Sequence, residues 1–140
     1  MAVSSFGTLL KIGSGGGGET FATIGEVRDI SGPAFALGTE EVTSHDSASG
    51  AREYIATLLE GGEVSFDINF TAAATQGFTG GLYTTMTNRT LRNFQLVVPT
   101  SSAKTCSFAA FVTSFAVNAP VEGVLSAGIT LQISGLPTWA

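Results

Sequence analysis

The residues best suited to chemistry are few, and their spacing argues against catalysis. His45, Asp46 and Ser47 supply the three side-chain types of a nucleophilic triad. Neighbours in sequence cannot form that relay, because the serine, the histidine and the acid must approach one another from separate elements. The Gly-x-Ser-x-Gly turn that seats such a nucleophile is also missing. Glu40 and Glu41 are paired acids with no predicted cleft around them, so neither has a substrate proton to move. The run GSGGGGE, Gly13 to Glu19, is rich in glycine like a phosphate cradle, but it ends Gly-Glu where a nucleotide loop needs Gly-Lys followed by Ser or Thr. One histidine and one cysteine leave a transition metal only carboxylates or ligands shared between chains, and no calcium-loop spacing is present. Cys106 lies in the apolar run CSFAAFV and reads as a small buried hydrophobe. These residues imply a non-enzymatic protein without cofactor or metal.

Composition points the same way. At 140 residues the chain fits one domain with a sizeable core. Charged residues make up 12% of it, against about 25% in ordinary soluble domains. Either neutral interface replaces charged surface, as at the centre of subunit contacts, or the domain is simply rich in Ser, Thr and Gly. The net charge is -5, and Lys11, Arg28, Arg52, Arg89, Arg92 and Lys104 are scattered. Phosphate binding needs clustered bases that displace counterions, so specific nucleic-acid binding is not expected. The opening MAVSSFGTLL lacks a basic stretch followed by a continuous apolar one, and no run of about 18 apolar residues occurs, so membrane insertion is not expected and synthesis in the cytoplasm is.

The elements that must hold these residues are mostly strands. Val64, Phe66, Ile68 and Phe70 alternate with Glu63, Ser65, Asp67 and Asn69, giving one apolar and one polar face. Strands are also predicted around 8–12, 34–37, 94–98, 106–117 and 123–134. FATIGEVRDIS reads as one more, with a bulge at Gly25 and a stop at Ser31 to Pro33. Gly38 to Arg52 is polar and reads as a long loop; Glu53 to Leu59 suits a helical turn or a strand. Phe78, Leu82, Tyr83, Met86 and Leu91 fall near a 3.6-residue period, which predicts a helix over about 76–92 with Thr75 or Thr79 as cap. The expected architecture is mainly β: a β-sandwich or partly open barrel of two packed antiparallel sheets flanked by that helix. Trp139, next to the end, is expected either exposed or docked on a neighbour.

The ordered series GTLLKIG, the Gly-rich segment, FATIGEVRDISGP, TEEVTSHDSASGAREYIATLLEGGEVSFDINF and the closing PVEGVLSAGITLQISGLP resembles the major tail tube proteins of long-tailed, non-contractile bacteriophages over nearly the whole chain. That resemblance implies a two-sheet sandwich with a flanking helix. It also implies a homo-oligomer of hexameric rings stacked into a tube, part of the virion and assembled in the host cytoplasm. DNA would pass through the lumen without specific binding, and tape-measure, tail-tip and tail-terminator proteins would be the partners. A single domain without an appended immunoglobulin-like module is expected. On this reading Glu63, Ser65, Asp67 and Asn69 line the lumen, although the same residues equally suit a solvated outer face. Thr39, Glu40, Glu41, His45, Asp46 and Arg52 belong to a ring-stacking loop that orders on assembly. A tail terminator or capsid decoration protein with a finite oligomer is the alternative, and a small esterase built on His45 the third.

Overall fold

The computed structural model describes residues 2–14, 19–71 and 81–140. Most of them are strand: β1 (Leu9–Gly13), β2 (Phe21–Thr23), β3 (Val27–Ser31), β4 (Ala36–Glu41), β5 (Tyr54–Glu60), β6 (Glu63–Asn69), β7 (Arg92–Val98), β8 (Lys104–Asn118) and β9 (Ser126–Trp139). One helix, α1 (Leu82–Thr87), precedes β7. Seven strands form a sheet in the order β2-β1-β7-β8-β9-β6-β3, and β4 pairs with β5 in a separate two-stranded sheet. Every pairing is antiparallel. The architecture is thus mainly β, with two antiparallel sheets and one helix, as the sequence implies.

The larger sheet is curled. β2 and β3 are its opposite edges, yet only Ile24, Gly25 and Glu26 separate them in the chain. Three residues span little more than about 10 Å, so the two edges must approach each other. No ladder joins them among the described residues, and the sheet stays open at that seam. Curling is made possible by β8 and β9, long strands whose pairing shifts register between Ser107 and Ala109 and again between Val112 and Ser114. Each shift adds local twist and bend, the usual way one strand passes from one layer to another.

Parity follows the same geometry. Cys106, Phe108, Ala110 and Val112 of β8 point inward, and after the second shift the next inward residue is Phe115. They meet Leu10 and Ile12 of β1, Phe94 and Leu96 of β7, Val64, Phe66 and Ile68 of β6, and alternate residues of β9 in one apolar cluster. Phe94 is fully buried and stacks on Phe108 with ring centroids 5.8 Å apart. Burying such a ring contributes roughly 1.5–3 kcal/mol. Ile24, in the connection between the two edges, is also buried and closes the core at the seam.

Several sequence expectations need correction. FATIGEVRDIS is two strands on opposite edges, not one bulged strand; Glu26 adopts a left-handed φ of 54°, which makes a turn at Gly25–Glu26. The loop expected over Gly38 to Arg52 is shorter than that: β4 continues to Glu41 and pairs with β5, which settles Tyr54–Glu60 as strand, and residues 42–53 form the loop between them with a short 3-10 turn at Ala48–Gly50. The helix ends at Thr87, well before residue 92. Arg89 takes a left-handed φ of 56°, and Arg92 already belongs to β7. The start expected for that helix, at 76–80 with the caps Thr75 and Thr79, lies outside the described residues, as do residues 15–18 of the Gly-rich run. β9 also runs through Gly135 and Pro137 to Trp139, which pairs with Cys106 and is half-exposed.

Candidate functional site

Two features could act on something outside the chain. The first is the outward face of the half-sheet formed by β3, β6, β9 and the C-terminal half of β8. Strand parity sends Val64, Phe66 and Ile68 of β6 into the core and leaves Glu63, Ser65 and Asp67 exposed, with Asn69 half-buried. Register then decides their neighbours. Ser65 lies between Ser31 and Thr130, and Thr130 lies opposite Ser114. Asp67 faces Gly128, which in turn faces Ala116.

Small residues therefore surround the acids and leave a shallow groove of about 380 Å³ that Asp29, Ser31, Ser65, Asp67 and Ser114 help to line. A Cβ at Gly128 would stand 3.4 Å from the Asp67 carboxylate, ordinary contact. No Lys or Arg lines the groove, whereas two Asp do. A smooth face with one sign of charge repels polyanions rather than gripping them. Among the described residues no group of three or more His, Cys, Asp or Glu side chains is placed to hold a metal ion.

The second feature is the arm made by β4 and β5, which leaves the body after Ala34 and returns at Gly62. Every residue of both strands is exposed, on both faces of the ribbon. Gly62 turns the chain back into β6 with φ 73°, and a Cβ there would strike the carbonyl of Ala34, so only glycine fits. The arm's tip is tied by its own bonds. Val42 N–H donates to the Glu53 carbonyl at 2.8 Å, Glu53 N–H to Thr43 Oγ1 at 2.8 Å, and Ser47 Oγ to the Glu53 carboxylate at 2.7 Å.

Along the arm, large apolar side chains meet water: Leu58 is 81% exposed, and Leu37, Tyr54, Ile55 and Leu59 each more than half. Soluble monomers rarely leave so many large apolar side chains bare on one element unless a partner covers them.

The sequence-derived site residues fall on these two features. Glu63, Ser65, Asp67 and Asn69 share the groove-side face of β6. Thr39, Glu40 and Glu41 sit on β4 opposite Ala56, Ile55 and Tyr54; His45, Asp46 and Arg52 belong to the tip segment between the two strands. The two groups do not converge, since the arm joins β6 at its Glu63 end. Ser47, once a nucleophile candidate, donates to Glu53 rather than to His45. Cys106 is buried, and burial raises its thiol pKa, the behaviour of an inert core thiol.

Sequence reasoning missed Asp29, which only the register of β3 brings beside Asp67, and the apolar arm residues. Tyr, Ile and Leu before Gly61-Gly62 were the available sign of the latter.

Arg92 braces the region behind the face. Its guanidinium donates to the Gly13 carbonyl through Nε at 3.0 Å and also through Nη2, and Nη1 reaches Thr85 Oγ1 at 3.2 Å. Strand β1, helix α1 and strand β7 are thereby joined at one point. Tyr83 and Phe70 both pack edge-on against Phe115, with centroids 5.7 Å apart in each pair.

A β domain that joins a smooth acidic face to an exposed apolar arm suits a subunit of a hollow assembly, and comparison with known proteins decides the family. The sequence model for phage tail tube proteins matches residues 2–139. The chain belongs to the phage tail tube protein family. Among solved structures, this family member is similar to a chain of the native gene transfer agent virion, with a TM-score of 0.79 at 20% identity over 99% of both chains. It is similar to a chain in the tail of the empty gene transfer agent particle with C6 symmetry, at 0.79 and 19% identity over 99% of both. Similarity to the SPP1 tail tube gives 0.65 and 13% identity over 94% of this chain and 75% of that one. These likenesses establish a shared tail tube fold. A search of curated proteins found no match. No helix among the described residues is long and apolar enough to cross a membrane.

Proposed function

We propose that this tail tube family member is a non-enzymatic structural subunit that closes into six-membered rings, and that the rings stack into a tube through which DNA leaves the virion without being specifically bound. The observation that carries the reading is the pairing, on one small fold, of an acid-only sheet face lined by small residues with an arm exposed on both sides. The first suits a lumen, with Glu63, Ser65, Asp67 and Asn69 facing the passing DNA; the second suits subunit contact.

The face has unused edges on both sides. Among the described residues β3 ends the sheet, and β8 has no strand partner beyond Ala110 on the side that β7 occupies earlier. Unpaired strand edges invite addition of a neighbour's strand. We place lateral ring contacts there and assign Thr39, Glu40, Glu41, His45, Asp46 and Arg52, on the arm, to contacts between rings. A tape-measure protein in the lumen and tail-tip and terminator proteins at the two ends complete the partners.

Negative-stain electron microscopy of the purified protein at increasing concentration, with and without a tail-tip template, tests the reading. Hollow tubes of uniform width are expected. Rings that never stack would point instead to a terminator or capsid decoration protein, and monomers under every condition would overturn the proposal.

A further inference from the structure

We infer that the arm of one copy docks on the turn between β8 and β9 of the next copy along the tube, with Leu58 of the first against Val121 of the second; this rests on the tube reading above and names the surface that receives the arm.

The argument begins with where the chain enters and leaves the four-stranded face. β3 ends at Ser31 and β6 begins at Glu63, and these two residues lie at the same end of their strands, where the arm is attached. β6 runs from there to Asn69, which pairs with Ser126; Ser126 pairs in turn with Asn118. Residues 119–125, which connect β8 to β9, therefore stand at the opposite end of the same strands.

That turn carries bare apolar surface of its own, at the end of the strands opposite the arm. Val121 is completely exposed, Val124 60% and Leu125 44%. A second copy displaced along the strand direction brings the arm of one molecule to the turn of the other. Each subunit then gives one surface and receives a different one, the relation that lets growth continue without limit.

Pairing of two arms is the competing arrangement, and charge opposes it. The arm carries Glu40, Glu41, Asp46, Glu53 and Glu60 against a single Arg52, so two arms side by side repel. The turn carries only Glu122. A self-paired arm would also close a dimer and stop.

The test places cysteines at both positions, Leu58→Cys with Val121→Cys in a Cys106→Ala background, assembles tubes and oxidises them. A ladder of disulfide-linked multimers is expected from the double variant and none from either single variant. Tubes that form without a ladder overturn this contact and leave the tube reading standing; dimers from Leu58→Cys alone show arm pairing and overturn it too. If the Cys106→Ala background fails to fold, Val121→Ser in the otherwise natural chain decides the matter. It should raise the critical concentration for assembly by about tenfold, and an unchanged value refutes the contact. Failure of the natural protein to form tubes at all overturns both readings.

Discussion

Leu58 offers the sharpest separation of folding from assembly. It is 81% exposed in the isolated chain, so its side chain gives the monomer fold almost nothing. Replacing it with Ala removes three carbon groups, worth about 0.8 kcal/mol each when fully buried, and scaling by the exposed share gives about 2 kcal/mol lost from the assembled state. That energy is a change of about 30-fold in the association equilibrium. Leu58→Ala should therefore raise the critical concentration for tube formation by that order, while thermal unfolding of the monomer stays within the small range typical of surface changes, about 0.5 kcal/mol. Pelleting of tubes across a concentration series gives the first quantity, and a circular dichroism melt gives the second. Equal critical concentrations for Leu58→Ala and the natural chain would refute the claim that the arm is buried on assembly. A large drop in melting temperature would show instead that the arm packs on its own body.

Three further outcomes follow from the core and from the bends. Phe94→Ala deletes a fully buried ring stacked on Phe108 and should cost about 3–5 kcal/mol in denaturant unfolding, with little loss expected for Phe6→Ala, whose ring is 93% exposed. Gly62→Ala combines a left-handed φ with a clash against the Ala34 carbonyl, and should destabilise by more than about 1 kcal/mol, read by the same titration; a neutral result would mean the arm's hinge relaxes freely. Burial raises the Cys106 pKa, so the thiol supports the fold below the ordinary thiol range and that support is lost as pH climbs through the raised folded value. The fall in melting temperature from neutral to strongly alkaline pH should accordingly be larger for the natural chain than for Cys106→Ala.

Much of this was written in the residues. Strict alternation from Glu63 to Phe70 specified β6 and both of its faces, because a half-buried strand admits one register only. The acids on that strand were readable for the same reason. The arm was not. Both faces of β4 are solvated in the isolated chain, so TEE shows no alternation, and nothing local separates such a ribbon from a loop. Asp29 joins Asp67 only through pairing of β3 with β6 across more than thirty intervening residues, a relation no window of sequence contains. The split of FATIGEVRDIS was hidden because its apolar residues, three apart, serve two edges of a curled sheet and a buried plug at Ile24. The helix shortened for a different reason: Gly81, the run of Thr and the left-handed Arg89 give it little intrinsic strength, and contacts of Tyr83, Leu82 and Arg92 decide where it survives.

The order of strands in the curled sheet also constrains how the protein can be made. β8 and β9 follow the other strands in chain order yet lie at the centre of the sheet, and β1 must wait for β7 before it finds its inner neighbour. Three of the pairings, β1 with β7, β3 with β6 and β6 with β9, join segments far apart in the chain, and they are the ones that bring the two halves of the sheet together. Without β8 and β9 the β2-β1-β7 and β6-β3 parts of the sheet would have no ladder between them. The two halves of the domain are therefore held together by the one hairpin of β8 and β9, and a change that loosens that hairpin is felt on both sides of the fold.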